Sequence, residues 1–134
     1  MAYSGTTGTG ATAGPPPTDI KSNVSWELLS AATSAARGTA YRMFGHYMSF
    51  YADGTTSAGS GSAVIDIEVS NVDSPSSSDS TEWKIAGTIT LTLGTTKTND
   101  VFTLNAPYQW FRARLVSISG TGASVNCFAS GLGA

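Results

Sequence analysis

Two arginines and two carboxylates are the residues of this sequence that are most able to act together chemically. Arg112 and Arg114 alternate in YQWFRARLVSIS (108–119), beside Trp110, and Asp66 and Glu68 alternate in AVIDIEVS (63–70). Carboxyl groups about 5 to 9 Å apart can hydrolyse glycosides, but ion-pair partners lower a carboxyl pKa where a general acid needs it raised. We therefore predict cross-strand ion pairs that set the register of a sheet, each adding about 0.2 to 1 kcal/mol.

The face that carries these arginines also carries Trp110, Val116 and Ile118, because residues two apart point to the same side of a strand. Bulky apolar side chains around a charged ladder are typical of a surface that is covered. We predict a cover formed by another subunit or by the rest of the chain. The alternative is a partly exposed sheet face on which the ion pairs only set the strand register.

The other reactive side chains give little support to an enzyme. His46, in RMFGHYMSF (42–50), is the only histidine, and Cys127 is the only cysteine. A single imidazole cannot act both as the general base for a nucleophile and as a set of metal ligands, so we predict a structural, packing role for His46. We predict that Cys127 packs as a small apolar residue. Four acids lie in loop-like stretches without the spacing of a calcium loop, and DGT (53–55) is predicted to be a turn; they are Asp53, Asp73, Asp79 and Asp100. No enzymatic activity, metal or cofactor is predicted.

The elements that must position these residues are strands, since most of the chain alternates with a period of two. In AVIDIEVS the alternation puts Ala63, Ile65, Ile67 and Val69 on one face, and in WKIAGTITLTL (83–93) it groups Trp83 and Ile85 with Ile89, Leu91 and Leu93. Phe111, Ala113 and Leu115 form a third core face, and Ala123, Val125, Cys127 and Ala129 a fourth. Turn-rich segments separate these runs, which predicts an all-β antiparallel sandwich of the jelly-roll or immunoglobulin-like kind. Only residues 25–37, where Ser25 could cap, have fair propensity for a short helix.

The first 19 residues differ in composition from the rest. They are rich in glycine and threonine, end near Pro15, Pro16 and Pro17, and contain almost nothing that could enter a core. We predict an extended arm over 1–19 and a sandwich domain over 20–134, although a loose terminus is the plain alternative. At about 3.1 Å per residue the arm would span roughly 55 to 60 Å, enough to reach a neighbouring subunit.

The charge balance excludes some partners. Charged residues make up 12% of the chain, the formal net charge is −2 and the pI is about 5.1. Nucleic-acid binding requires clustered Lys and Arg, so it is not predicted. No run of about 18 apolar residues exists, which argues against a membrane span, and a cytoplasmic site of synthesis is predicted.

Two segments then carry a resemblance to a known group of proteins. AVIDIEVSNVDSPSSSDSTEWKIAGTITLTL and DVFTLNAPYQWFRARLVSISGTGASVNCF are similar to a recurrent β-sandwich of tailed-phage virion and prophage structural proteins. The likeness covers about half the chain, from Ala63 to Ala129. The chain departs from the pattern in the longer turn SPSSSDS (74–80) and in Phe128, which stands where a small aliphatic residue is usual.

The resemblance implies a virion component, and we expect a capsid decoration or cement protein that binds the major capsid protein and stabilises capsomer junctions. Copies around a threefold axis could share the apolar face. A neck or head-completion protein and a fibre protein are alternatives. A further alternative is a glycan-binding module that uses Tyr47, Tyr51, Trp83 or Tyr108. The expected burial of these aromatic side chains, with Trp83 in the core, argues against it.

Overall fold

The structure, a computed structural model, describes residues 25–42, 47–105 and 108–132. The predicted arm with Pro15, Pro16 and Pro17, and also His46, lie outside the described residues. Within them the chain forms nine strands: β1 (Ser25–Ala32), β2 (Ala36–Arg37), β3 (Tyr41–Arg42), β4 (Tyr47–Thr55), β5 (Ala58–Ser70), β6 (Lys84–Leu93), β7 (Thr98–Asn105), β8 (Trp110–Thr121) and β9 (Ser124–Leu132). A single turn of 3-10 helix, Ser80–Glu82, precedes β6.

The strands form two antiparallel sheets. Sheet A has the order β1-β9-β4-β7 and sheet B the order β2-β8-β5-β6, with the short β3 also paired to β8. With β2 and β3 counted as one interrupted strand, each sheet has four strands. The chain then changes sheet at every connection except the β5–β6 hairpin, which is the topology of a jelly roll. The predicted all-β sandwich is confirmed, and the strand order is the jelly-roll one.

The core lies between the two sheets and is built from the alternating residues of their facing sides. Phe50, Ile65, Ile67, Phe111, Leu115, Val125 and Cys127 are all fully or almost fully buried there. Burial of apolar area at about 25 cal/mol per Å² is the main force that holds two such sheets face to face. The predicted inward faces of β5, β8 and β9 are therefore confirmed.

The predicted short helix over 25–37 is wrong, because this segment forms β1 and β2. β1 pairs with β9, and Trp26 and Leu28 alternate into the core while Glu27 points outward. Trp26 stacks on Tyr41 with 6.2 Å between ring centroids. The helical propensity of Leu, Glu and Ala is weak compared with the burial gained by a strand on an open sheet edge.

A bulge at Ala86 overturns part of the predicted core face of β6. Ile67 pairs with Gly87 but Glu68 pairs with Ile85, so Ala86 is an extra residue and the alternation reverses there. Ile85 is consequently 52% exposed, and Trp83 lies outside the core cluster, on the outer side of sheet B. A bulge adds one residue to one strand and thereby moves every residue beyond it to the opposite face.

Two further predictions are corrected by strand pairing. Pairing with Ala63 places Ile118 on the core side, because an irregularity at Val116 shifts the β5–β8 register. The segment DGT (53–55) is the end of β4 and not a turn, and Asp53 is buried. Pairing with β7 and β9 on both sides holds that end of β4 extended.

Candidate functional site

The arginines and carboxylates singled out in the sequence meet on the outer side of sheet B. In the antiparallel pairing of β5 with β8, Asp66 is opposite Arg114 and Glu68 is opposite Arg112. Arg112 Nε lies 2.7 Å from Glu68 Oε1, and Arg114 Nη1 lies 3.8 Å from Glu68 Oε2. Asp66 Oδ1 instead accepts a hydrogen bond of 2.7 Å from Thr88 Oγ1. The ladder is therefore centred on Glu68, which serves both arginines.

Arg112 is the most enclosed member of this ladder. Its residue exposure is 1%, and its guanidinium carbon lies 4.0 Å from the centroid of the Trp83 ring. Nη1 donates a 2.9 Å hydrogen bond to the carbonyl oxygen of Ser77. A desolvated guanidinium is stabilised by such a charge-assisted bond together with an aromatic face. Arg114, by contrast, keeps 36% of its side chain exposed.

The cover over this ladder is the segment from Asn71 to Trp83, which we call the covering loop. Its carbonyl oxygens accept hydrogen bonds from two indoles, Trp83 Nε1 to Ser76 at 2.9 Å and Trp110 Nε1 to Asp73 at 3.2 Å. Arg42 stacks on the Trp110 ring at 5.0 Å from its centroid. The longer turn SPSSSDS thus has a structural role, since it supplies main-chain acceptors to the Trp83 indole and to Arg112.

The far end of the covering loop is fixed by its own side chains. Asp79 caps the 3-10 turn by accepting hydrogen bonds from the Thr81 backbone N at 2.9 Å and from Thr81 Oγ1 at 2.6 Å. These bonds stabilise the charged form and lower the pKa of Asp79 below its ordinary value. Glu82 Oε1 accepts a further bond from the backbone N of Ser76. The carboxylates of the ladder are thereby enclosed by the chain itself, with Glu68 only 4% exposed.

A second candidate site is the outer face of sheet A, which the covering loop does not reach. Tyr47, Ser49 and Tyr51 of β4 point outward here, whereas Met48, Phe50 and Ala52 point into the core. Tyr47 is 58% and Tyr51 36% exposed. Our expectation that these two tyrosines are buried is wrong, although their alternation with Ser49 could have indicated an outward face.

Side chains on this face are arranged in rows that cross the strands. One row joins Val101, Tyr51 and Phe128, and the Tyr51 and Phe128 rings lie 6.3 Å apart between centroids. The next row, two residues along the strands, carries hydroxyl groups on all four strands: Thr103, Ser49, Ser130 and Ser25. Tyr47 stands beyond the hydroxyl row on β4. We call the hydroxyl row with its two aromatic borders the sheet A trench.

The trench contains two adjoining depressions that share Ser49 and Ser130. One, of about 300 Å³, is bordered by Tyr51 and Phe128, and the other, of about 390 Å³, by Tyr47 and Thr103. Loss of hydration, followed by the negative charge of Asp53, raises the pKa of the Tyr51 phenol above its ordinary value. Tyr51 is therefore protonated, and a hydrogen-bond donor, at neutral pH.

The remaining predicted features have these positions. Trp83 is buried, but over Arg112 rather than in the core, and Tyr108 is half-buried against the core cluster. In the part of the chain that the structure describes, no group of three His, Cys, Asp or Glu side chains is placed to hold a metal ion. Within the same ranges, no helix has the length and apolar character needed to cross a membrane.

Comparisons with known proteins give one fold neighbour. Neither a family model nor a curated protein matches the sequence. The crystal structure of the SPBc2 prophage-derived protein YomS superposes on this chain with a TM-score of 0.49 and 17% sequence identity, covering 81% of this chain and 92% of that one. Similarity at this level concerns only the path of the chain.

Proposed function

We propose that this protein is a non-enzymatic structural component of a tailed-phage virion, specifically a capsid decoration or cement protein. It binds the outer surface of the head through contacts with the major capsid protein and stabilises the junctions between capsomers. The observation that carries the proposal is the position of the phage-like motif in the fold. Its characteristic residues belong to the framework: Arg112 and Trp83 stack under the covering loop, and the glycines of SGTGA turn the chain from β8 to β9.

That turn requires glycine for a physical reason. Gly120 has a φ of 120° and Gly122 a φ of 61°, in the left-handed region that side chains with a Cβ rarely adopt. A Cβ on either glycine would also collide with Thr56 or Ser57, which form the turn between β4 and β5. The motif therefore specifies how the sandwich is built, and its likeness in sequence supports the proposed place of this protein among virion structural proteins.

The rigidity of the module suits the same role. The covering loop lies over the outer side of sheet B with bonds to both indoles and to Arg112, so Arg112 and Glu68 are enclosed without a partner. Jelly rolls are a common architecture of viral shell proteins because a closed sandwich presents stable surfaces to its neighbours. The likeness to shell proteins is an analogy of fold, and the function still rests on the motif.

Attachment to the shell is assigned to the predicted arm and to exposed apolar side chains. Residues 1–19 lie outside the described residues and precede β1, which is an edge strand of sheet A. Val72 on the covering loop and Ile85 on β6 are exposed and add apolar contact area on the sheet B side. We propose a homo-oligomer with threefold symmetry as the form that binds a capsomer junction.

Quantitative mass spectrometry of purified particles tests the proposal by copy number. A decoration protein is expected at hundreds of copies per particle, whereas a neck ring gives about a dozen and a fibre only a handful. The major capsid protein of the same particles serves as the internal standard. Absence of the chain from washed particles would contradict a virion role altogether, and a low copy number would contradict decoration.

A further inference from the structure

We propose that the sheet A trench binds a neutral oligosaccharide, with sugar rings placed against Tyr51 and Phe128 on one side and Tyr47 on the other. This inference goes beyond the virion role and does not depend on it, because it concerns a ligand of the isolated chain. It would give a particle that displays the protein a means of adhering to glycans on a surface.

The dimensions of the trench suit a short oligosaccharide. Neighbouring strands are about 4.8 Å apart, so the hydroxyl row across four strands is about 14 Å long. Rows two residues apart along a strand are separated by about 6.7 Å, which sets the distance from Ser49 to each bordering tyrosine. The two depressions of about 300 and 390 Å³ lie side by side on this row, within the size range of small-ligand sites.

The side chains complement the two kinds of surface that a sugar ring presents. A pyranose has an apolar face of C–H groups, which packs on an aromatic ring, and a rim of hydroxyl groups, which needs donors and acceptors. Tyr47, Tyr51 and Phe128 provide the rings. The serines of the row provide hydroxyl groups that can both donate and accept hydrogen bonds. No described residue forms a hydrogen bond with the side-chain hydroxyls of Ser49, Thr103 or Ser130, so these groups are available to a ligand.

The charges around the trench favour a neutral ligand over an anionic one. The hydroxyl row and its aromatic borders carry no charge, and the acids that neighbour them along the strands are Glu27 and Asp53, of which Asp53 lies 4.0 Å from the ammonium of Lys97. Glu27 is paired opposite Phe128 at the end of its row, and Asp53 follows Tyr51 by two residues. Because Lys97 offsets the charge of Asp53, the carboxylate of Glu27 leaves the border of the trench negative, which disfavours phosphates and acidic sugars.

The backbone of this face argues against an extended peptide. β4 and β9 are central strands whose main-chain groups pair with a strand on each side. Peptides that recognise sheets usually add as a strand at an open edge, where unpaired N–H and C=O groups are offered. Recognition on this face must come from side chains, and those present are the aromatic and hydroxyl types that saccharides use.

Titration of the full-length chain with neutral trisaccharides tests the inference. Maltotriose, cellotriose and tri-N-acetylchitotriose are added in turn while ¹H–¹⁵N spectra record the backbone amides, and a glycan array extends the range of sugars. We expect shifts confined to the strands that form the trench. Tyr51→Ala and Tyr47→Ala are each expected to weaken binding by roughly tenfold, the value of a lost aromatic stack.

The control is Val116→Ala, which removes an exposed apolar side chain from β8 of the other sheet and should leave the dissociation constant unchanged. Thermal melts verify that each variant remains folded. The inference is overturned if neither the trisaccharides nor the array gives a signal, or if binding survives both tyrosine substitutions. Shifts of the same amides on raising the protein concentration without sugar would identify a second copy as the occupant and would also overturn it. Copy number on particles remains a separate measurement, so either proposal can fail alone.

Discussion

At the scale of single residues, Arg112 and Arg114 look equivalent in the sequence and are not equivalent in the molecule. Both alternate outward from β8 and both reach Glu68. The covering loop encloses Arg112 with Trp83 above it, while Arg114 remains partly in water. The energy of an ion pair depends strongly on this difference, because removal of one partner leaves the other charge desolvated only in the enclosed case.

Arg112→Ala is accordingly expected to lower the free energy of unfolding by about 3 kcal/mol, since it leaves the buried Glu68 with only the longer contact to Arg114 and opens a space under Trp83. Arg114→Ala, the matched control on the same strand, is expected to cost less than about 1 kcal/mol. Urea denaturation followed by tryptophan fluorescence measures both. Equal losses for the two variants would contradict the assignment of Arg112 as the enclosed partner.

The Cys127 thiol is a second residue whose environment determines its chemistry. Burial in the core, followed by the negative charge of Asp53, raises the pKa of this thiol to about 12. At pH 8 we expect Ellman's reagent to label the folded protein roughly a thousandfold more slowly than the protein in urea, because the thiolate is scarce and enclosed. Similar labelling rates in both states would show that the thiol is accessible.

The same thiol makes the free energy of unfolding decrease at alkaline pH. The unfolded thiol ionises near its ordinary value of 9.0 and the folded one near 12. The folded state therefore holds its proton more tightly between these values, and its contribution to stability, complete below about pH 9, is lost as the pH rises towards 12. A Cys127→Ser variant lacks this alkaline decline, which unfolding measurements across that window can compare.

At the scale of elements, the bulge in β6 determines which side of sheet B receives Trp83. The extra residue Ala86 lies between the pairs Ile67–Gly87 and Glu68–Ile85. Gly87 faces the core at this point, and a Cβ built on it would collide with the ring of Phe102 on β7. The close approach of Phe102 therefore requires glycine at this position.

Gly87→Ala is expected to lower the free energy of unfolding by about 1 to 3 kcal/mol, the usual cost of overpacking in a core. Gly94→Ala is the control, because a Cβ there meets nothing within 4 Å. We expect that control to change stability by no more than about 0.5 kcal/mol. Thermal unfolding of the two variants compares them, and a tolerated Gly87→Ala would contradict the packing of Phe102 on this residue.

The covering loop is the other element with a specific energetic role. Removal of residues 74–80 takes away the main-chain acceptors at Ser76 and Ser77 and the cap at Asp79. We expect the sandwich still to fold, with a free energy of unfolding lower by about 2 to 3 kcal/mol, since Arg112 and Trp83 lose enclosed partners. A red shift of tryptophan emission would report the exposure of Trp83, and unchanged emission would show that the loop does not shield it.

At the scale of the whole molecule, the described residues by themselves form two sheets with a core between them. The buried apolar residues of the described chain run from Trp26 to Ala129. Truncation of residues 1–19 is therefore expected to leave the melting temperature unchanged while weakening attachment to particles. Occupancy on particles, measured beside the intact chain, tests the second part. Unaltered occupancy would contradict the role given to the arm.

The sequence alone determined the class of the fold and most of its inward faces. A period of two is a local property, so alternation in AVIDIEVS and in FRARL was enough to assign the buried residues of β5 and β8. The same alternation placed Arg112 and Arg114 together on one side of β8, and Asp66 and Glu68 together on one side of β5. The membership of the chain in a virion remains a prediction from the motif.

Contacts between distant parts of the chain determine which outward faces are covered and where the alternation breaks. The bulge at Ala86 adjoins Gly87, where Phe102 of the other sheet approaches closely, and β1 became a strand because β9 offered an edge. The enclosure of Arg112 depends on a loop that returns from 35 residues away along the chain. Local pattern specifies the two sides of a strand, whereas exposure depends on what packs against each side, and that is set by contacts between residues distant in sequence.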